Sequence, residues 1–328
     1  MAFAFDRHAN AVGVHFCALL EKIYFQHLPD LRLRHMIYRW KVVTGANKEI
    51  GLEIVKRLAS NGIKVVLTAR DEKRGREAVK KLTEFDASDQ VVFHQLDVAD
   101  SASVASLADF IKTQFGKLDI LVNNAGVLGV KLDGEVLLSP SNIDVEFEAR
   151  WSKAITETYE LAEECLQINY YGAKRIADAL IPLLQLSVSP RIVNVSASLG
   201  KLEKVKNEWA KSVFSGAETL TEEKIDEVLS EFLKDFKGGL LASKDWPTFL
   251  SSYTLSKAAM NAYTRILASM YPSFRINSVC PGYVKTDMNL NTGILTVEEG
   301  AASAVKLALL PNGGPSGLFF IRSEVSKL

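Results

Sequence analysis

Tyr253 and Lys257 are the residues from which chemistry can be argued first. They stand four positions apart in "YTLSK", a spacing that puts two side chains on one face of a helix. An ammonium beside a phenol favours the phenolate and lowers the tyrosine pKa from its usual value near 10. Such a tyrosine can exchange a proton with a carbonyl oxygen near neutral pH. A second stretch, "TGANKEIG" (44–51), reads as a glycine turn opening a helix. Gly45 permits the tight turn, and Gly51 lets helix and sheet approach. The helix N-terminus then offers free N–H groups to a phosphate. Asn47, Lys48 and Ile50 share that loop.

Arg70 ends the apolar run "KVVLTA". A site reading the ribose 2′-hydroxyl of NAD places an acid near this point. Arg70 suits a 2′-phosphate instead, through forked, charge-assisted hydrogen bonds. Lys48 can reach the same phosphate, whereas Asp71 is the competing acid one residue on. The pair Arg70 and Lys48 favours NADP(H) over NAD(H). Asp97 and Val98 in "LDV" fall where an adenine would lie. Asn123, Ala125 and Gly126 in "NNAG" close a further strand with small side chains that admit a cofactor.

The elements that must position these residues alternate. "WKVV", "IKVVLTAR", "QVVFHQLDV" and "LDILVNNAG" read as strands. Between them lie helical stretches, among them "EIGLEIVKRLASNG" with Ile50, Ile54, Val55 and Leu58 on one face and Gly62 as stop. The rhythm resumes with a helix through "LAEECLQINYYGAKRIADALIPLL", a strand at "RIVNVSA", a helix from "YTLSK" and a strand at "RINSVCPG". Strands alternating with helices predict βαβ units: a Rossmann-type α/β fold with a doubly wound parallel sheet. The Val/Ile/Leu-rich strands fit a sheet covered on both faces. A helical insert at about 201–250 precedes the tyrosine. In it Ile225, Val228, Leu229, Phe232, Leu233 and Phe236 form one apolar face, closed by Gly238 and Gly239.

The 328 residues carry 39 basic and 39 acidic side chains. Zero net charge gives no electrostatic case for nucleic acid or an anionic membrane. No apolar run reaches the ~18 residues of a membrane span. The three cysteines Cys17, Cys165 and Cys280 lie far apart without CxxC spacing, so neither a disulfide framework nor a metal site is expected, and a reducing compartment is the default. Residues 1–38 differ from the rest, with four of the five histidines, three acids and no Ser or Thr. They read as a non-catalytic extension. Targeting to an organelle stays open, although transit peptides are Ser-rich; the histidine spacing matches no compact metal motif. Otherwise a cytoplasmic location is expected.

The order of the motifs resembles the short-chain dehydrogenase/reductase family over residues 39–328. It runs TGANKEIG, Arg70, LDV, NNAG, Asn169 in "INYYG", a Ser-bearing strand, YTLSK and "PGYVKTDM" (281–288). The insert and the wording around it are similar to the plant subgroup of salutaridine reductases and menthol or neomenthol dehydrogenases. The resemblance implies that Tyr253 protonates a carbonyl oxygen while NADPH delivers hydride. It implies that Lys257 tunes Tyr253 and binds the nicotinamide ribose, and that Asn169 holds a relay water. Val284 and Thr286 would touch the nicotinamide end. Members of the subgroup are typically monomers acting on cyclic ketones of terpenoid or alkaloid origin. Two positions depart from the family pattern. Glu49 replaces a glycine, and Ala197 of "VSAS" replaces the catalytic serine. Ser196 is expected to face away, by strand alternation. Ser198, where the strand ends, can swing in as the substitute, and a bound water is another. The competing expectation is an NADP(H)-binding paralogue with weakened or silenced chemistry.

Overall fold

Eight strands form the central sheet of the computed structural model, which describes residues 39–83, 88–138, 146–216 and 218–328. Residues 1–38, expected as an extension, lie outside the described residues. The elements run β1 (Trp40–Val43), α1 (Glu49–Ser60), β2 (Lys64–Ala69), α2 (Glu72–Thr83), β3 (Val91–Gln95), α3 (Ser101–Phe115) and β4 (Ile120–Asn123). After them come β5 (Lys131–Leu132), α4 (Gly134–Leu138), α5 (Phe147–Ala154), β6 (Ile155–Thr156), α6 (Tyr159–Leu166), α7 (Ala173–Leu184) and β7 (Arg191–Val195). The chain ends with α8 (Glu208–Ser215), α9 (Glu222–Lys237), α10 (Ser251–Met270), β8 (Arg275–Cys280), α11 (Val297–Ala308), β9 (Phe319–Ile321) and β10 (Glu324–Ser326).

The strand order β10-β9-β8-β7-β4-β1-β2-β3 is parallel apart from the terminal β9/β10 pair. This is the doubly wound Rossmann-type sheet expected from the alternating pattern. Alternation along each strand sends neighbours to opposite faces. Val42 belongs to a core shared with α3, α7, α9 and α10, while Val43 belongs to one shared with α1, α2 and α11. Both faces are thereby covered, which is why the strands carry so little polar sequence. The chain reverses direction between β4 and β1, so the crevice at that switch point opens at the carboxyl ends of the strands.

Three local features depart from the sequence reading. The helix expected through 161–184 is interrupted by a π-helical segment, Gln167–Gly172, which carries Asn169; such bulges concentrate at functional sites. The insert holds two helices rather than one. Its α9 buries Ile225, Val228, Leu229 and Phe232 as its apolar face requires, while Leu233 and Phe236 are half-buried. A two-stranded antiparallel sheet pairs β5 with β6. Beside it Leu137, Trp151 and Ala154 form a small separate core with Phe249, Tyr283 and Leu290.

Candidate active site

The glycine loop is shaped by contacts that only bare backbone allows. Gly45 has φ +60°, and a Cβ there would stand 2.8 Å from Ala125 Cα. At Gly51 a Cβ would stand 2.5 Å from Gly45 O and 2.6 Å from Asn124 Nδ2. Asn124 is what stitches the loop to the end of β4. Its Nδ2 donates to Thr44 O (3.0 Å) and Gly45 O (3.1 Å), while Thr44 Oγ1 accepts from Asn124 N and Ala125 N. Asn123, named from the same motif, turns its amide inward, donating to Asn194 Oδ1 at 2.9 Å in the core. Sequence reasoning passed over Asn124; the only signal was its place in the NNAG doublet.

Lys48 and Glu49 reach across the mouth of this loop. Lys48 Nζ pairs with Asp287 Oδ2 at 2.5 Å, and Asp287 N donates to Glu49 Oε1 at 2.5 Å. Lys48 is thus engaged with the 281–291 segment rather than with Arg70. Its ammonium holds the Asp287 carboxyl below the usual range. Glu49 sits at φ +50°, in the left-handed region that costs a side-chain-bearing residue ~1–2 kcal/mol. A glycine at 49 would carry no such strain, which accounts physically for the family's usual choice. Asn47 and Ile50 are half-buried in the loop. Arg70 is exposed at the end of β2, and its guanidinium makes no ion pair among the described residues. Asp97 is half-buried, its Oδ1 taken by Ala99 N at 2.9 Å, and Val98 is buried.

The proton-handling residues gather on α10 beside the ends of β4 and β7. Lys257 is buried. Its Nζ donates to Val195 O at 2.8 Å and lies 5.6 Å from the centroid of the Tyr253 ring. Burial lowers its pKa to about 8. Tyr253 is half-buried, and removal from water raises its phenol pKa above the ordinary value, with the Cys280 and Cys165 thiols adding to the rise. The sequence led us to expect the reverse, a phenol lowered by Lys257. Burial of the phenol dominates over its neighbours here.

Gly126 lies between Lys257 and the π segment. A Cβ on it would stand 3.2 Å from Asn169 Oδ1 and 3.6 Å from Lys257 Nζ. Asn169 is fully buried. Its amide accepts from Val127 N (2.8 Å) and donates to Val127 O (2.9 Å), with Ser256 Oγ at 3.0 Å and Cys165 Sγ at 3.3 Å. Around the absent serine, Ala197 is half-buried and extended, and Ser196 is buried with its Oγ directed to Lys257 O. Ser198 is exposed and opens a 3-10 turn, Ser198–Gly200. Val284 is buried and bridges to Leu295. Thr286 is buried and caps the 3-10 turn Asp287–Asn289. Among the described residues no His/Cys/Asp/Glu group is arranged to hold a metal.

A glycine cradle at the carboxyl edge of a parallel sheet, with a Tyr–Lys pair on a neighbouring helix, defines a class of dehydrogenases and reductases. The chain belongs to the short-chain dehydrogenase/reductase family, which binds a nicotinamide cofactor. Residues 39–210 match the family model described as short chain dehydrogenase, and residues 240–314 match one described as Enoyl-(Acyl carrier protein) reductase. The chain is 60% identical to the (+)-neomenthol dehydrogenase of Arabidopsis thaliana over 292 residues, 88% of this chain and 98% of that one. It is 36% identical over 295 residues to carbonyl reductase 1 of Bos taurus, whose name specifies NADPH, covering 87% of this chain and 96% of that one. The solved structure of salutaridine reductase from Papaver somniferum superimposes with a TM-score of 0.81 at 54% identity, over 86% of this chain and 99% of that one. The protein is an oxidoreductase acting between C=O and CH–OH.

Proposed function

We propose that the protein is an NADPH-dependent reductase of small cyclic ketones, with Tyr253 as the proton donor. The observation that carries this reading is the Tyr253–Lys257 pair on α10, with Lys257 Nζ 5.6 Å from the Tyr253 ring centroid and close to Gly126 at the exit of β4. The residues fit a dinucleotide: Gly45, Gly51 and Ala125 leave backbone bare where a Cβ would collide, and Arg70 presents an exposed cation for a 2′-phosphate. Bound there, the cofactor supplies hydride. Gly45, Asn47, Ile50 and Gly51 would hold the pyrophosphate, Asp97 and Val98 the adenine, and Val284 and Thr286 the nicotinamide end. Tyr253 gives its proton to the carbonyl oxygen as that oxygen gains negative charge. Lys257 stands next to the resulting phenolate and stabilises it. Asn169 fixes Val127 and so the exit of β4 beside the reacting groups.

The named activities of the relatives, a neomenthol dehydrogenase and a salutaridine reductase, support cyclic terpenoid and alkaloid ketones as the substrate class. A monomer acting in the cytoplasm belongs to the same proposal. Among the described residues no helix is long and apolar enough to cross a membrane. Ala197 favours a second reading, a cofactor-binding paralogue with silenced chemistry. Loss of one oxyanion donor of this kind costs ~10²–10³ in rate, which slows a reductase without abolishing it. The test is NADPH oxidation, with NADH in parallel, over a panel of cyclic monoterpenoid ketones. The native protein, Ala197→Ser and Tyr253→Phe are compared. Turnover by the native protein that Tyr253→Phe abolishes is expected. Turnover only in Ala197→Ser favours the silenced paralogue, and undiminished turnover in Tyr253→Phe overturns the assignment of the donor.

A further inference from the structure

The helix that carries Tyr253 begins badly by its own sequence. Its N-cap position is Leu250, at φ 46° in the left-handed region, with no side-chain cap. Leucine offers no acceptor, yet the first N–H groups of a helix have no partner within it. Ser251 and Ser252, the two residues before Tyr253, are fully buried, so water cannot make up the difference. The first turn is anchored instead through its side chains, by Glu157, just past β6. Its Oε2 accepts from Ser251 Oγ at 2.6 Å and its Oε1 from Ser252 Oγ at 3.3 Å.

We infer that Glu157 is a positioning residue for Tyr253, holding the first turn of α10 in the register that aims the phenol at the substrate carbonyl. The inference rests on the reading of Tyr253 as proton donor. One carboxylate takes two hydroxyls at the start of α10, and a negative charge there also complements the helix dipole. The turn has little freedom on its other side. A Cβ on Gly129 would stand 2.6 Å from Cys165 Cβ and 2.8 Å from Ser252 Oγ, so Ser252 is wedged between backbone and α6. Burial raises the Glu157 carboxyl pKa, and hydrogen bonding from the two serines acts against that rise. The positioning group comes from the segment that closes the β5/β6 sheet, so the wall beside the small Trp151 core and the proton donor are fixed to each other.

A displacement of about 1 Å at a reacting group costs on the order of 10²-fold in rate. Glu157→Ala is therefore expected to lower kcat at least 10-fold while leaving the NADPH dissociation constant within about twofold, because the glycine cradle lies on other elements. Glu157→Gln, which keeps one acceptor oxygen at the same reach, is expected to fall between the two and covers the case in which the alanine variant fails to fold. NADPH binding is read by fluorescence titration. In parallel, amide hydrogen exchange is followed along α10. Exchange at 251–255 should quicken in Glu157→Gln while 258–267 stays protected. Unchanged kcat together with unchanged exchange at 251–255 overturns the inference, as does a fall in kcat matched by an equal loss of NADPH affinity. Should the native protein reduce no ketone, the functional reading fails, and exchange at 251–255 still decides the role of Glu157.

Discussion

Gly51→Ala tests the cradle most directly. The added Cβ would lie 2.5 Å from Gly45 O, 2.6 Å from Asn124 Nδ2 and 2.8 Å from Ala46 Cα. Relaxed contacts between such atoms lie at about 3.5–4.0 Å, so the shortest is deficient by roughly 1 Å. Two of the three neighbours are backbone atoms, which cannot rotate away. Separation must open the turn or withdraw α1, and either movement pulls on the bonds from Asn124 Nδ2 to Thr44 O and Gly45 O. Overpacking of this kind costs ~1–3 kcal/mol, and one lost hydrogen bond adds ~1 kcal/mol. At roughly 2 °C per kcal/mol for a domain of this size, the melting temperature should fall by about 4–8 °C. The helix N-terminus also retreats from the phosphate position, so NADPH should bind at least ~10-fold more weakly. Gly62→Ala is the control. It too has positive φ (+71°), but open space surrounds it, so it should lose some stability and no affinity. Thermal melts and fluorescence titration read both. A Gly51→Ala protein with native melting temperature and native affinity would refute the argument.

Two further outcomes follow from other parts of the molecule. Lys41 is fully buried on β1, its Nζ has no hydrogen-bond partner among the described residues, and burial lowers its pKa to about 7. The unfolded chain binds this proton up to its ordinary value near 10.4, so between about pH 7 and 10 the unfolded state holds more protons and stability rises with pH. Lys41→Met should flatten that rise and raise stability at pH 7 by several kcal/mol, since each tenfold loss of proton affinity corresponds to ~1.4 kcal/mol. Urea unfolding at several pH values measures this, and an unaltered slope would contradict it. Glu49→Gly removes both the φ +50° strain and the bond from Asp287 N. Stability should change by less than ~1 kcal/mol, whereas NADPH should dissociate several-fold faster in stopped-flow fluorescence. An unchanged off-rate would show that the bridge does not hold the cofactor.

Legibility in the sequence followed the range of the interactions. The strands were readable because burial on both faces demands Val, Ile and Leu in short runs, as in Lys64–Ala69. Tyr253 and Lys257 were readable because four residues of helix place them together whatever surrounds them. Glu157 had no such signal. It acts on Ser251 across 94 positions, and nothing in "ITETYE" distinguishes it from its neighbouring acids. The NNAG doublet could not say which asparagine faces the loop, since alternation at a strand end depends on where the strand stops. The direction of the Tyr253 shift escaped for a related reason. The Lys257 spacing is local, but burial is a property of the whole fold. The π segment around Asn169 likewise leaves no mark in a helical apolar pattern that continues on both sides of it.

The bridge from Lys48 and Glu49 to Asp287 joins positions 239 and 238 residues apart, and this bears on how the protein can be recombined. A loop graft from a relative with glycine at 49 would bring a relaxed backbone but leave the Asp287 amide without its carboxylate. Replacing only the 281–291 segment by one without an acid at 287 would take the Asp287 carboxylate from Lys48 while the backbone N–H at 287 stays available to Glu49. The two segments form one heritable module split across the chain. Chimeras that cross over between them should be repaired by exchanging 48, 49 and 287 together.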